Sequence, residues 1–223
     1  MLRLFKNYLK GLRDSFYSKK IKNKLTFGSK SCAWTFDGDL LNKKSIVISG
    51  GAGNDISFEI EIAKEYGCMV HLFDPSPTGI ETFNQLNSEY KKNILYYPLG
   101  LSKKKGIIRF SYPDNEKEGS YRISSLKDDK TTKFNTTSIK SFCKENDIKK
   151  IDLLKIDIEG FEYEVINDIL VNEIIVKQIL VEFHHFFDHI DKHKTNDSIK
   201  LLKQNGYELF HRRELDFSFR KKK

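Results

Sequence analysis

The sequence is short of cysteine and of long apolar runs, and each shortage removes a class of protein. Cys32, Cys68 and Cys143 are far apart, odd in number and without a C-x-x-C pair. Neither a disulfide framework nor a zinc knuckle is expected, and a reducing compartment is the simplest setting. No stretch approaches the ~18–20 apolar residues of a membrane span. The N-terminus also lacks a continuous apolar core followed by a small-residue cleavage site, so a soluble, unsecreted, cytoplasmic chain is expected. Basic charge is missing where a nucleic-acid binder would carry it. Of the net +8, residues 1–24 supply eight basic side chains against the single acid Asp14, residues 220–223 supply four more, and the stretch between is mildly acidic. Two basic tails around an acidic body, without aromatic-basic interleaving on that body, argue against nucleic acid as partner. At 223 residues the chain suits one domain with a sizeable core.

Within the N-terminal tail, Leu2, Phe5, Leu9, Leu12 and Phe16 recur at steps of three and four with basic residues between them. This is the pattern of a basic amphipathic helix over residues 1–24, ahead of a single domain over 25–223. Such a helix packs on its own domain, or makes peripheral contact with an anionic membrane at the inner face. Trp34 and Phe36 mark a lid or an extra strand.

From residue 45 the pattern becomes regular. The strand-like SIVIS (45–49) runs into Gly50, Gly51, Ala52 and Gly53, and Asp55 to Tyr66 carries a helical period. Glycines there allow conformations that a Cβ forbids and let a ligand approach the backbone. A second strand, VHLFD (70–74), puts the carboxylate of Asp74 at 21 residues after Gly53, where an acid can accept hydrogen bonds from a ribose. Pro75 and Pro77 then open a helix through Ile80, Phe83 and Leu86. ILYY (94–97) reads as a third strand. GIIRFSY (106–112) reads as an added one, half of a hairpin across residues 103–105, and the polar run 113–133 as a loop.

After a helix at 138–146 comes the apolar strand of IDLLKIDIEGFEYEVI (151–166), which delivers Asp157 and Glu159 to its end and continues as a helix. QILVEF (178–183) ends likewise at Glu182, His184 and His185. A helix over 198–204 and two alternating strands, 207–211 and 216–219, close the chain as an antiparallel hairpin. Alternating strands and helices predict an α/β fold, a doubly wound, mostly parallel sheet with the hairpin at its edge. Every polar candidate then falls at the carboxyl edge, where such sheets bind ligands. A dinucleotide and S-adenosylmethionine both suit the glycine turn and Asp74 at this point.

The motifs SGGAGNDISFE (49–59), HLFDPSP (71–77), YPLGLS (97–102), KIDIEGFEYEVI (155–166) and VEFHHF (181–186) together resemble the FkbM-type S-adenosylmethionine-dependent methyltransferases, over about residues 30–210. The resemblance implies the class I methyltransferase sheet, Rossmann-like, with seven strands of which the last is antiparallel, and S-adenosyl-L-methionine as cofactor. It implies that Gly50, Gly51 and Gly53, with Asp55 beside them, approach the amino-acid part of the cofactor. Asp74, followed by Pro75, would meet the ribose hydroxyls, Leu101 or Ser102 the adenine, and Asp157 the methionyl end or the acceptor. Ser49 departs from the pattern, since many class I enzymes have an acid before the glycines.

The activity so implied is O-methylation of a hydroxyl on a sugar, a surface glycan or another small metabolite. The sulfonium already activates the methyl, so the protein has to align a hydroxyl and help remove its proton. His184 is the first candidate for that base, with Asp157 or Glu159 second. Against this stand a capping role for His184 and His185, and a helix-dipole role for Glu159. Oxygens of Asp157, Glu159 and Glu182 would suit magnesium, but no spacing demands a metal and none is expected. His189 and His193, four apart, lie among Asp188, Asp191 and Lys192 as a solvated face. An NAD(P)-dependent oxidoreductase is favoured only by the glycine turn and Asp74, and the missing third glycine and the DIEG segment count against it. A non-catalytic membrane-surface module rests on the N-terminal helix alone. The segment around Trp34, the run 113–133 and the loop after His185 are expected to shape the acceptor pocket.

Overall fold

The computed structural model describes residues 20–113, 119–124 and 130–222. The helix expected over residues 1–24 falls, up to residue 19, outside the described residues, and so does the membrane contact expected of it. Among the described residues no helix is long and apolar enough to cross a membrane.

The chain opens with a hairpin of β1 (Lys24–Phe27) and β2 (Trp34–Asp37). The α/β alternation follows: β3 (Ile46–Gly50), α1 (Ser57–Tyr66), β4 (Met69–Phe73), α2 (Pro77–Asn84), α3 (Ser88–Lys91) and β5 (Ile94–Tyr97). Four strands then form a small second sheet: β6 (Gly100–Leu101), β7 (Gly106–Ser111), β8 (Arg122–Ile123) and β9 (Thr131–Thr137). The alternation resumes with α4 (Ile139–Glu145), β10 (Leu153–Ile156), α5 (Glu162–Val171), β11 (Gln178–Glu182) and α6 (Lys194–Gln204), and ends in β12 (Tyr207–Arg213) and β13 (Asp216–Lys221).

The main sheet has seven strands in the order β12-β13-β11-β10-β3-β4-β5. Neighbours from β11 to β5 pair parallel, whereas β13 pairs antiparallel with both β11 and β12. This is the doubly wound sheet with an edge hairpin expected from the alternation, and its seven strands with the last antiparallel are those the family resemblance implies. Parallel strands covered on both faces must be apolar throughout, and successive residues serve opposite faces. Ile48, Leu154 and Ile179 therefore join one core with Phe142, Val165 and Leu202 of the helices. Val47, Leu153 and Leu180 join the other with Phe58 and Ile62 of α1 and Phe36 of β2. Each such side chain, fully buried, contributes about 1.5–3 kcal/mol.

Two expectations are corrected. The strand starting at Gly106 does not fold back across residues 103–105; its antiparallel partners are β9 and β8, while β6 pairs parallel with β9. The run 113–133 is no plain loop, since β8 and the start of β9 lie in it. β9 begins Thr131-Thr132-Lys133, and a half-exposed strand built from threonine offers no apolar run to detect. Trp34 and Phe36 prove to be strand residues, tied to the main sheet by Gln178, whose amide bonds the backbone of Asp37.

Candidate functional site

The break between β3 and β10 in the winding direction opens a crevice at the carboxyl edge, and both sequence motifs meet there. A cavity of about 180 Å³ is lined on one side by Gly51, Gly53, Asp55, Asp74 and Pro75, and on the other by Leu101, Asp157 and Glu159.

On the first side, Gly51 has φ +90°, and a Cβ on it would stand 1.9 Å from the carbonyl oxygen of Asp157. Only glycine lets the loop lie against the end of β10. The loop then turns its N–H groups on Asp74: Ala52 and Gly53 donate to Oδ2 at 2.8 and 2.9 Å, and the Ser76 N–H donates to Oδ1 at 2.7 Å. Asp74 is 6% exposed, yet three backbone donors satisfy its charge. Ser76 caps α2 through Gly79 N, with Pro77 in the first turn, and Gly79 leaves the room that Asp74 fills. Asp55 accepts from Ser57 N and Ser29 Oγ, which fastens the β1–β2 hairpin loop to the start of α1. Burial pushes its carboxyl up, but the bonds from Ser29 and Ser57 outweigh that and hold it below the usual range.

Beneath the loop lies a charged network whose members stand in the motifs but whose pairing no spacing announced. Ser49 Oγ donates to Glu59 Oε1 at 2.5 Å, so the acid absent before the glycines arrives from α1 instead. Glu59 is matched by Lys155, whose Nζ lies 3.6 Å from it and donates to Gly51 O at 2.5 Å. Burial opposes the Lys155 charge, but Glu59 and Asp157 outweigh it and raise its ammonium pKa. Trp34 lies beside this ammonium, 5.7 Å from ring centre to Nζ.

On the second side the end of β10 turns sharply through Glu159 (φ 53°) and Gly160 (φ 102°) into α5. Glu162, completely buried, accepts from Ile158 N and Gly160 N and fixes this turn. Its Oε1 is 2.8 Å from His184 Nδ1. The other ring nitrogen, Nε2, faces Glu159 Oε2 at 3.4 Å and Asp157 Oδ1 at 3.7 Å, and the ring stacks on Phe187. Burial disfavours a charged imidazole, but Glu162, with Glu159 and Asp157, outweighs it, and His184 is pushed up to about 10. Burial likewise raises Glu159, against the opposing pull of His184. Glu182 ends β11 directly opposite Asp216 of β13, and Arg213 binds Asp216 through two nitrogens. Behind Glu159 the rings of Phe110 and Phe161, 4.9 Å apart, extend the cavity wall.

The structure thus brings Gly51, Gly53, Asp55, Asp74, Pro75, Leu101, Asp157 and Glu159 to one cavity. Gly50 sits beneath Leu101 and Ile158 instead, where a Cβ would meet both. Ser102 does not reach the cavity either, because it is fully buried and its Oγ donates to Lys104 O in its own turn. His184 lies behind the wall formed by Asp157 and Glu159. Sequence reasoning missed Glu59, Lys155 and Glu162. For Lys155 the signal was a lysine in the middle of an apolar strand, since a fully buried ammonium must have a partner.

Residues 49–209, more than half of the chain, match a protein-family model described as the methyltransferase FkbM domain. No curated protein matches. Among solved structures, similarity is found to a methyltransferase FkbM from Methylobacillus flagellatus KT, with 16% identity and a TM-score of 0.49 over 83% of this chain and 46% of that one. This chain therefore spans less than half the length of that protein. The Methanococcus jannaschii fibrillarin pre-rRNA processing protein is similar at 12% identity and a TM-score of 0.43, covering 90% of this chain and 83% of that one. M. jannaschii TYW2, solved in complex with AdoMet, is similar at 10% identity and a TM-score of 0.37, over 92% and 89% of the two chains.

Proposed function

The chain belongs to the FkbM methyltransferase family, and from that premise we propose that it is an O-methyltransferase acting on a hydroxyl of a sugar or glycan. Of the two ligands the glycine turn left open, family membership selects S-adenosylmethionine as cofactor. The residues fit it. Asp74 Oδ1 accepts one backbone N–H where a carboxylate oxygen has room for two, so an acceptor site remains for a ribose hydroxyl. Asp157 and Glu159 present negative charge to the cavity, as a sulfonium requires. In this reading Gly51, Gly53 and Asp55 adjoin the amino-acid end, and Pro75 and Leu101 the adenine.

The observation that carries the O-methylation reading is the placement of Glu159 in the cavity beside the Phe110–Phe161 wall. Aromatic faces suit the apolar face of a sugar ring, and the carboxylate suits its hydroxyls. S-adenosylmethionine supplies a methyl group already activated by its sulfonium, so a C–S bond breaks as the C–O bond forms. The acceptor hydroxyl must be aligned with that bond and must lose one proton. His184, expected as the base, lies behind the Asp157–Glu159 wall with its Nδ1 held by Glu162, and does not reach the cavity. Glu159 takes the proton in our proposal, and Asp157 positions the hydroxyl.

The test is labelled methyl transfer to a panel of sugars and nucleotide sugars, with melting in S-adenosylhomocysteine as the binding control. Glu159→Gln is expected to keep the melting shift and lose ~10²–10⁴-fold in kcat. Undiminished turnover in that variant removes Glu159 as base, and an absent melting shift in the unmutated protein removes the cofactor assignment. For a surface glycan we further propose peripheral membrane contact through residues 1–24. Equal liposome flotation of the full chain and a version without those residues refutes it.

A further inference from the structure

We infer that Asp157, Glu182 and His184 bind a divalent first-row transition-metal ion behind the cavity. Each offers one ligand atom, and these atoms lie within 4.8 Å of one another. Ligand bonds of about 2.0–2.2 Å bring such a set together with small side-chain rotations. Acidic clusters are common without a metal, so the argument turns on the histidine. His184 is 3% exposed, and among the described residues its Nε2 meets only the Asp157 and Glu159 carboxylates, at distances longer than a good hydrogen bond.

Its orientation is fixed from behind. Nδ1 is held at 2.8 Å by Glu162, itself fully buried and anchored by the Ile158 and Gly160 N–H groups. A carboxylate holding one imidazole nitrogen so that the other points at a ligand site is how proteins orient metal-binding histidines. Glu182 is a second pointer. Among the described residues it has no hydrogen-bond donor, and its cross-strand partner is the like-charged Asp216. The neighbouring cations are engaged elsewhere, Arg213 with Asp216 and Lys155 with Glu59 and Gly51 O. One imidazole with two carboxylates suits manganese, iron or zinc better than calcium.

Asp157 also lines the cavity, so one ligand of such an ion is shared with the acceptor wall, and binding displaces the Nε2 proton of His184. Resting on the methyl-transfer reading, its role there is to fix Asp157, and through it the acceptor hydroxyl, while Glu159 stays unliganded as base. Metal binding itself stands on the geometry alone.

The full chain, stripped with EDTA and exchanged into metal-free buffer, is titrated with Mn²⁺ by electron paramagnetic resonance and with Zn²⁺ by calorimetry. Melting in S-adenosylhomocysteine is recorded in parallel. One ion per chain is expected, with affinity lowered at least ~10-fold in Glu182→Gln and His184→Asn, ~10–100-fold in Glu162→Gln, and unchanged in Asp216→Asn. Saturation by neither ion, or equal binding in Glu182→Gln that still melts higher with S-adenosylhomocysteine, overturns the site. Metal binding without any S-adenosylhomocysteine shift in the unmutated chain upholds the metal site and removes the methyl-transfer reading instead.

Discussion

The two halves of the crevice handle negative charge in opposite ways. Around the glycine loop, Asp74 is satisfied by three backbone N–H groups and Glu59 by Ser49 and Lys155. Around the end of β10, Glu162 has two backbone N–H donors, while Asp157, Glu159 and Glu182 gather about the one imidazole that it holds. The first half is complete as it stands and needs only a ligand of the right shape. The second has charge in excess, which a cation or hydroxyl donors would relieve. Fixed donors suit a cofactor that is always the same, and unspent acceptor capacity suits a group where protons move.

Substitutions that remove charge should therefore have opposite signs in the two halves. The largest effect is expected for Lys155→Met, which strands Glu59 in the core. Urea denaturation should show a loss of about 3–5 kcal/mol, and a loss under 1 kcal/mol would break the distinction. Gly51→Ala comes next. A Cβ 1.9 Å from Asp157 O cannot be accommodated at φ +90°, so about 2 kcal/mol and the melting shift with S-adenosylhomocysteine should both be lost. Asp74→Asn leaves at least one buried N–H without its acceptor, costing about 1–3 kcal/mol by the same denaturation measurement. In the other half the sign reverses. Glu182→Gln removes a like charge opposite Asp216 and should stabilise the metal-free protein by up to ~1 kcal/mol. Destabilisation there would show that the acid half is as internally satisfied as the loop half.

Much of the first half was legible because its residues follow apolar strands and their spacing carries meaning. Gly51, Gly53 and Asp74 each sit at a strand end, a place that hydrophobic pattern locates well. The charge partners were not legible. Glu59 and Glu162 stand in helical segments where an acid ordinarily faces water, and nothing local reveals that their side chains turn inward. His184 was found but its partner was not, and the partner decides whether an imidazole accepts a proton. Nor does local pattern specify that β7 pairs with β9, since strand pairing is a long-range property. Ser102 sat in the right motif and still turned to its own backbone.

The adjacency of β3 and β10 also bears on how the molecule folds. Val47 pairs with Leu153, and Asp157 N donates to Gly50 O, across a hundred residues of intervening chain. Contacts so distant in sequence form slowly, and β3 keeps an open edge until they do. A nascent chain that ends before Leu153 can pair β3 with β4 and β4 with β5, yet lacks the end of β10 against which Gly51 packs. The crevice is thus among the last features to assemble, and the exposed edge of β3 is where self-association during synthesis would begin.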